Sequence, residues 1–396
     1  MIEILNKILH ISEPITFNLY QYMKSCLSAW NDNIYIVPYD ILQHFLSIKE
    51  LTKISQLNYS FKNMVKSKTK SFIMEIVNVS HGVSLMKTFK NCELRLEITQ
   101  SNRDDDISVL TSLTELTVQK YKNIQLSNEE LYNLTSMKSL SLYDNQTVTD
   151  YGLSRMRNLT SLSLNVNKAK ITNGLFKKFD NLLTLDLSSR WFPPEKYFGD
   201  NCLKHSPNLT DLDLTACAFI TDKGLMHLKN LTKLDICNNT VITDNGIRDM
   251  IGLKELNCSI NSSITDQGVK NLINLEKLYL FDNTDITDAG LVNLESLTEL
   301  DLGDQWLITD KGISHLKNLV KLELSFNGVI TDEAFKNFPE LTSINLFANH
   351  FISETCVSEI KKLRHINVSK EGGYNQLVSH QFINQLKAKG VTVTYR

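Results

Sequence analysis

Along most of the chain an apolar residue, one variable residue and a second apolar residue recur as a pair. The pairs Leu234/Ile236, Leu256/Cys258, Leu278/Leu280, Leu300/Leu302, Leu322/Leu324, Ile344/Leu346 and Ile366/Val368 follow one another at 22 residues. Upstream the pair stands at Leu116/Val118, Leu140/Leu142, Leu162/Leu164, Leu185/Leu187 and Leu212/Leu214, with steps of 24, 22, 23 and 27. Weaker copies precede these at Leu94/Leu96 and around Ile73. Such alternation predicts a short strand with the paired residues inward and the residue between them outward. A second motif runs in phase, Ile-Thr-Asp-x-Gly-Leu or a close variant, starting at Val148, Ile171, Ile220, Ile242, Ile264, Ile286, Ile308 and Ile330. Its Thr-Asp supplies a side-chain oxygen to cap a helix start. The leucines after it fall at helical spacing and point to the same core.

The unit reads L-x-x-L-x-L-x-x-N-x-x-I-T-D-x-G-L-x-x-L-x-x, and it resembles the leucine-rich repeat over residues 71–396, with a C-terminal cap from about 371. One unit cannot bury its own leucines, whereas stacked units can. The expected fold class is therefore α/β, a solenoid with a parallel sheet on its concave face and the bulkier helices on its convex face. An asparagine closes most units, at 145, 167, 239, 261, 283, 327 and 349, with Cys217 and Gln305 in the same column. A side-chain amide there can satisfy backbone groups of neighbouring units. The asparagines and the Ile-Thr-Asp boxes thus read as frame, not as catalytic groups. The unit between Leu187 and Leu212 is longer and contains Arg190-Trp191-Phe192-Pro193-Pro194, which breaks the local helix.

Residues 1–70 lack the period and carry a net charge of +3, against −5 for the remainder. Residues 1–33 read as an N-terminal helical extension. In 34–70, Val37-Pro38 precedes Asp40-Ile41-Leu42, Glu50-Leu51 and a stretch from Ser55 through Leu57 to Phe61. Two or three short helices here carry more apolar surface than so small a domain buries alone. This segment resembles an F-box, with Val37 in place of the usual leucine and Asn58 where a cysteine is common. The resemblance implies a non-catalytic substrate-recognition subunit of an SCF-type (Skp–cullin–F-box) E3 ubiquitin ligase. It makes Pro38, Ile41, Leu42, Phe45, Leu46, Leu51 and Leu57 the contacts to a Skp-type adaptor. The alternative is an interaction scaffold with no ubiquitin-ligase link.

A target would meet the outward positions of the sheet. The row between the paired leucines includes Asp186, Asp213, Asp235, Asn257, Tyr279, Asp301 and Glu323, and just beyond it lie Phe281, Asp282, Asp304, Phe326 and Phe347. Exposed rings on a sheet are favoured interface anchors. The expected target site therefore combines Tyr279, Phe281, Phe326 and Phe347 with Asp282, Asp301, Asp304 and Glu323, and its partner presents a basic and apolar segment. Trp306 lies beyond these, in the turn.

Composition narrows the remaining classes. Lys+Arg 42 against Asp+Glu 44, a net charge of −2, gives no electrostatic case for nucleic acid. No run of about 18 apolar residues offers a membrane span. The seven cysteines are an odd number with no CxxC pair, which favours free thiols in the cytoplasm or nucleus. Heavy use of Asn, Lys and Ile is typical of AT-rich genomes; in a viral protein the compartment would be the host cytoplasm. No phosphate-binding glycine loop or HExxH motif occurs. Cys217, Cys237 and Cys258 fall in different rows of successive units, and His227 and His315 lie four units apart. No metal, cofactor or catalytic group is expected.

Overall fold

The computed structural model describes residues 72–76, 78–88, 92–99, 106–118, 124–165, 170–189, 199–369 and 379–395. The F-box-like segment, with Pro38, Ile41, Leu42, Phe45, Leu46, Leu51 and Leu57, lies outside them. So do the N-terminal extension, residues 190–198 of the long unit, and the expected boundary near residue 70. The chain divides into two compact units between Leu96 and Glu97. In the first, β1 (Phe72–Ile76) pairs in parallel with β2 (Cys92–Ile98), and the helix Val79–Thr88 connects them.

The second unit is the repeat array. Its strands are β3 (Leu113–Val118), β4 (Ser139–Ser141), β5 (Ser161–Ser163), β6 (Thr184–Asp186), β7 (Asp211–Asp213), β8 (Lys233–Asp235) and β9 (Glu255–Asn257). They continue as β10 (Lys277–Tyr279), β11 (Glu299–Asp301), β12 (Lys321–Glu323), β13 (Ser343–Asn345), β14 (His365–Val368) and β15 (Thr392–Tyr395). Each pairs in parallel with the next, in chain order, so the unit is an open solenoid. One short helix or 3-10 turn stands between most strands, and His380–Ala388 precedes the last one. The paired apolar residues and the helix leucines form one continuous core: Leu275, Leu278, Leu280, Ile286, Leu291 and Leu294 of a single unit are all buried. The middle residue of each three-residue strand faces this core, so its two neighbours face outward, as the alternation predicts.

Two hydrogen-bond ladders hold adjacent units together. The first is the asparagine column. Asn283 donates from Nδ2 to the carbonyls of Cys258 (3.2 Å) and Asn261 (2.8 Å) of the preceding unit, and its Oδ1 accepts the amides of Asp285 (3.1 Å) and Ile286 (3.0 Å). Asn239, Asn261, Asn327 and Asn349 repeat this pattern. Gln305 reproduces part of it, donating to Ile286 and accepting from Leu307 and Ile308. Buried polar groups that lose such partners are costly, which is why the column is nearly uniform.

The second ladder runs through the Ile-Thr-Asp boxes. Thr243 caps its helix Asp244–Ile247, its hydroxyl accepting the Asn245 amide. That hydroxyl also donates to Asp222 Oδ2 (2.7 Å), while the Thr243 amide donates to Asp222 Oδ1 (2.8 Å). The aspartate of one box therefore clamps the threonine of the next. The pattern repeats from Asp200–Thr221 to Asp310–Thr331 and ends with Asp332–Ser353. A Cβ on Gly246 would stand 2.5 Å from Asp222 Oδ1, so glycine suits the α-helical boxes, whereas the unit with Ala334 at this position keeps its Asp310–Thr331 clamp on a 3-10 turn.

Candidate functional site

Three parallel rows of side chains make up the outward face of the sheet. The first row alternates in charge across adjacent strands. Lys233 lies 4.0 Å from Asp211 and 3.2 Å from Glu255, Lys277 lies 3.6 Å from Glu255 and 3.5 Å from Glu299, and Lys321 lies 3.8 Å from Glu299. Such half-exposed pairs contribute less than about 1 kcal/mol each. Their consequence for recognition is that this row is electrically balanced.

The middle row is acidic over β6–β8 and β11–β12, and its side chains have a local task. Asp213 Oδ1 accepts the Thr215 amide (2.8 Å), Asp235 Oδ1 that of Cys237 (2.9 Å), Asp301 Oδ1 that of Gly303 (2.8 Å) and Glu323 Oε1 that of Ser325 (3.2 Å). Bonding to the backbone two residues on is the ordinary habit of an aspartate at a turn. In register, Asp186, Asp213 and Asp235 stand side by side on β6, β7 and β8. Burial, with its aspartate neighbours adding to it, pushes Asp213 up to about 6. Burial likewise raises Asp301 to about 6, with Glu323 contributing. Tyr279 is in register with Asp301, and its hydroxyl lies 3.4 Å from Glu299 Oε2. Burial and the surrounding carboxylates lift that phenol to about 12.

The third row lies where the strands end. One residue per unit there has left-handed backbone: Asp144, Ala216, Asn238, Ile260, Asp282, Asp304, Phe326 and Ala348, with φ between 48° and 57°. The conformation aims the amide at a carbonyl of the next unit, as from Asp304 to Ser325 (2.9 Å) and from Phe326 to Phe347 (3.0 Å), and in Ala348 at the Ser369 hydroxyl (2.9 Å).

The predicted target residues divide among these rows. Tyr279, Asp301 and Glu323 are adjacent across β10–β12, but both carboxylates also hold their own strand ends. Phe326 and Phe347 are brought together edge to face, their centroids 5.2 Å apart. Phe281 belongs to another neighbourhood: its ring lies against Gly303, where a Cβ would come within 2.7 Å of Cδ2. Asp282 and Asp304 occupy the left-handed positions of β10 and β11.

Sequence reasoning missed Leu307 and Phe351, and placed Trp306 beyond the site. All three are exposed at the strand exits, as is Phe326. The signal available was their apolar character at turn positions: Trp306 stands where other units carry Thr240, Ser262 and Thr284, and Leu307 and Phe351 where others carry Ser263 and Asp285.

A family model described as the BspA type leucine rich repeat region, in six copies, matches residues 108–232, 146–278 and 262–389. No curated protein matches the chain. Among solved structures, a leucine-rich-repeat protein of Leptospira interrogans is similar with a TM-score of 0.52 and 19% identity, over 86% of this chain and 91% of that one. An internalin of Listeria monocytogenes is similar with a TM-score of 0.49 and 21% identity, over 73% and 82% of the two chains. The complex of Rad7 and Elc1 from yeast has a TM-score of 0.48 and 17% identity, over 83% and 89%. At such identities the Leptospira structure bears on the fold alone.

Proposed function

The chain belongs to the BspA-type leucine-rich-repeat family, and on that premise we propose that it is a non-catalytic protein-binding scaffold whose outward sheet face holds a target presenting basic and apolar side chains. The observation that supports this most is the half-exposed aromatic set at the ends of β11–β13, on a rigid sheet whose polar groups are already paired with one another. Rigid rings on a preorganised surface bind with little loss of side-chain freedom. Tyr279, Phe281, Asp282, Asp301, Asp304, Glu323, Phe326 and Phe347 form the proposed target face.

The more specific reading is that of substrate receptor in an SCF-type ubiquitin ligase, working in the cytoplasm or nucleus. It rests on the sequence alone, on Val37-Pro38, Asp40-Ile41-Leu42 and Glu50-Leu51 preceding a repeat array. In it, residues 34–70 dock a Skp-type adaptor and the repeats hold the target near the cullin-bound machinery. The test is a pulldown of purified Skp-type adaptor by the full chain, intact and as Leu42→Asp/Phe45→Asp. Retention by the intact chain and loss by the variant supports the ligase reading. No retention by the intact chain leaves the scaffold without a ubiquitin link.

A further inference from the structure

The strand exits of the array are built on one plan and filled in two ways. At the ends of β7, β8 and β9, residues 215–219, 237–241 and 259–263 carry no charged side chain. At the ends of β10–β13, residues 281–285, 303–307, 325–329 and 347–351 carry Asp282, Asp285 and Asp304 and no lysine or arginine. The same exits hold Trp306, Leu307, Phe326 and Phe351, which are 59%, 43%, 46% and 51% exposed. Large apolar side chains from three successive units are thus gathered on one rim, with Asp282, Asp285 and Asp304 on its β10–β11 side and His350 beside Phe351.

These side chains are positioned rather than loose. The Trp306 indole N–H donates to Asp304 Oδ1 at 2.9 Å. Its ring rests over Gly328, where a Cβ would stand 2.5 Å from Cζ3, so the glycine leaves the space the ring occupies. Phe326 braces against Phe347 and holds left-handed backbone, at φ 57°, a conformation bulky residues rarely take. Burial does not repay that placement, since nearly half of Phe326 faces solvent. The left-handed position itself belongs to the frame, since Ile260 shares it at φ 52° and is as exposed as Phe326; what the frame does not require is a large ring there.

We infer that the anchor of this protein's binding face is the strand-exit rim of β11–β13, and that it takes an extended segment of another protein in which an arginine or lysine stands next to an apolar residue. The cation sits over the exposed face of Trp306, where ring quadrupole and neighbouring carboxylates both attract it. The apolar neighbour packs between Phe326 and Phe351. The middle of the sheet takes a lesser part, because its first row is balanced in charge and the carboxylates of its second row hold backbone amides. This inference rests on the protein-binding reading above and fixes where and what the scaffold binds.

The test is selection of a displayed random-peptide library on the intact full-length chain. The selected clones are then measured against two variants, Trp306→Thr/Phe326→Asn at the rim and Tyr279→Ser in the middle of the sheet. The expected clones share a basic residue beside an apolar one. They bind the rim variant at least about tenfold more weakly and the mid-sheet variant about threefold more weakly than the intact chain, because Tyr279 is the lesser part of the same face. Clones lost on Tyr279→Ser but kept by the rim variant overturn the rim and leave the scaffold reading standing. Acidic clones, or clones without a basic residue, overturn the proposed partner. No selected clones, or clones indifferent to both variants, overturn the rim and the sheet-face reading together. Should the double rim variant fail to fold, Phe326→Asn alone reads the same loss, since asparagine suits left-handed backbone.

Discussion

The units around β8 and β9 and those around β11 to β13 share one frame and differ in what it displays. In both, buried asparagines tie strand ends to the preceding unit: Asn239 and Asn261 in the first region, Asn327 and Asn349 in the second. The aspartate clamp is also the same, at 2.8 and 2.7 Å for Asp222–Thr243 and for Asp310–Thr331. At the left-handed exit position the first region shows Asn238 and Ile260 and the second Asp304, Phe326 and Ala348; one residue past the column, Thr240 and Ser262 correspond to Trp306, and two past it Val241 and Ser263 correspond to Leu307 and Phe351. Positions that touch the next unit are constrained by stacking and hardly change. Positions that touch only solvent are free to change, and those that turned aromatic are where a partner is expected.

Substitution in the frame sharpens this contrast most. Asn283→Ala removes a buried amide with four backbone partners and should lower unfolding free energy by about 3 kcal/mol. Urea denaturation measures this, and a loss below about 1 kcal/mol would detach the column from stability. Gly246→Ala forces a methyl onto Asp222 and should cost about 2 kcal/mol, read as a lower denaturation midpoint. An unchanged midpoint would mean that the clamp yields freely.

The acidic row responds to pH. Asp213 has a folded pKa of about 6, above the usual aspartate value, so the folded state binds its proton more tightly. Its stabilising contribution is complete below the unfolded value near 4 and is lost as pH rises through 6. Asp213→Asn keeps the Thr215 amide bond and removes the charge. It should raise stability by about 1–2 kcal/mol above neutral pH and flatten the melting-temperature profile between about pH 4 and 7. A profile that keeps its full slope in the variant would place the proton elsewhere. Asp301 remains in the variant and should leave a residual slope.

The repeat, its strands, the asparagine column and the threonine caps were legible in the sequence because each depends on residues within one period. The second half of each box was not. An aspartate 21 residues before a threonine becomes its neighbour only when the stacking step is near 22, so a reading of Thr-Asp as a local cap finds half of the contact. The middle row misled for a related reason. An aspartate on an outward strand position reads as a ligand-facing charge, yet Asp213 and Asp301 mainly accept amides two residues ahead. Asp144, Asn238, Asp282 and Asp304, types that tolerate left-handed backbone, marked that turn in advance. Trp306 was set beyond the site and Phe351 left out because a turn does not reveal which of its apolar residues are buried; Gly328 decides it for Trp306, and only the fold places that glycine under the ring.

The central claim is that the exit rim of β11–β13 is surplus to folding and is kept for binding. The most direct measurement compares the unfolding free energy of Trp306→Thr/Phe326→Asn/Phe351→Thr with that of the intact chain. The account predicts a change within about 1 kcal/mol, with Phe326→Asn relieving left-handed strain and offsetting lost ring contact. A loss as large as that of Asn283→Ala would contradict it and make the rim part of the frame.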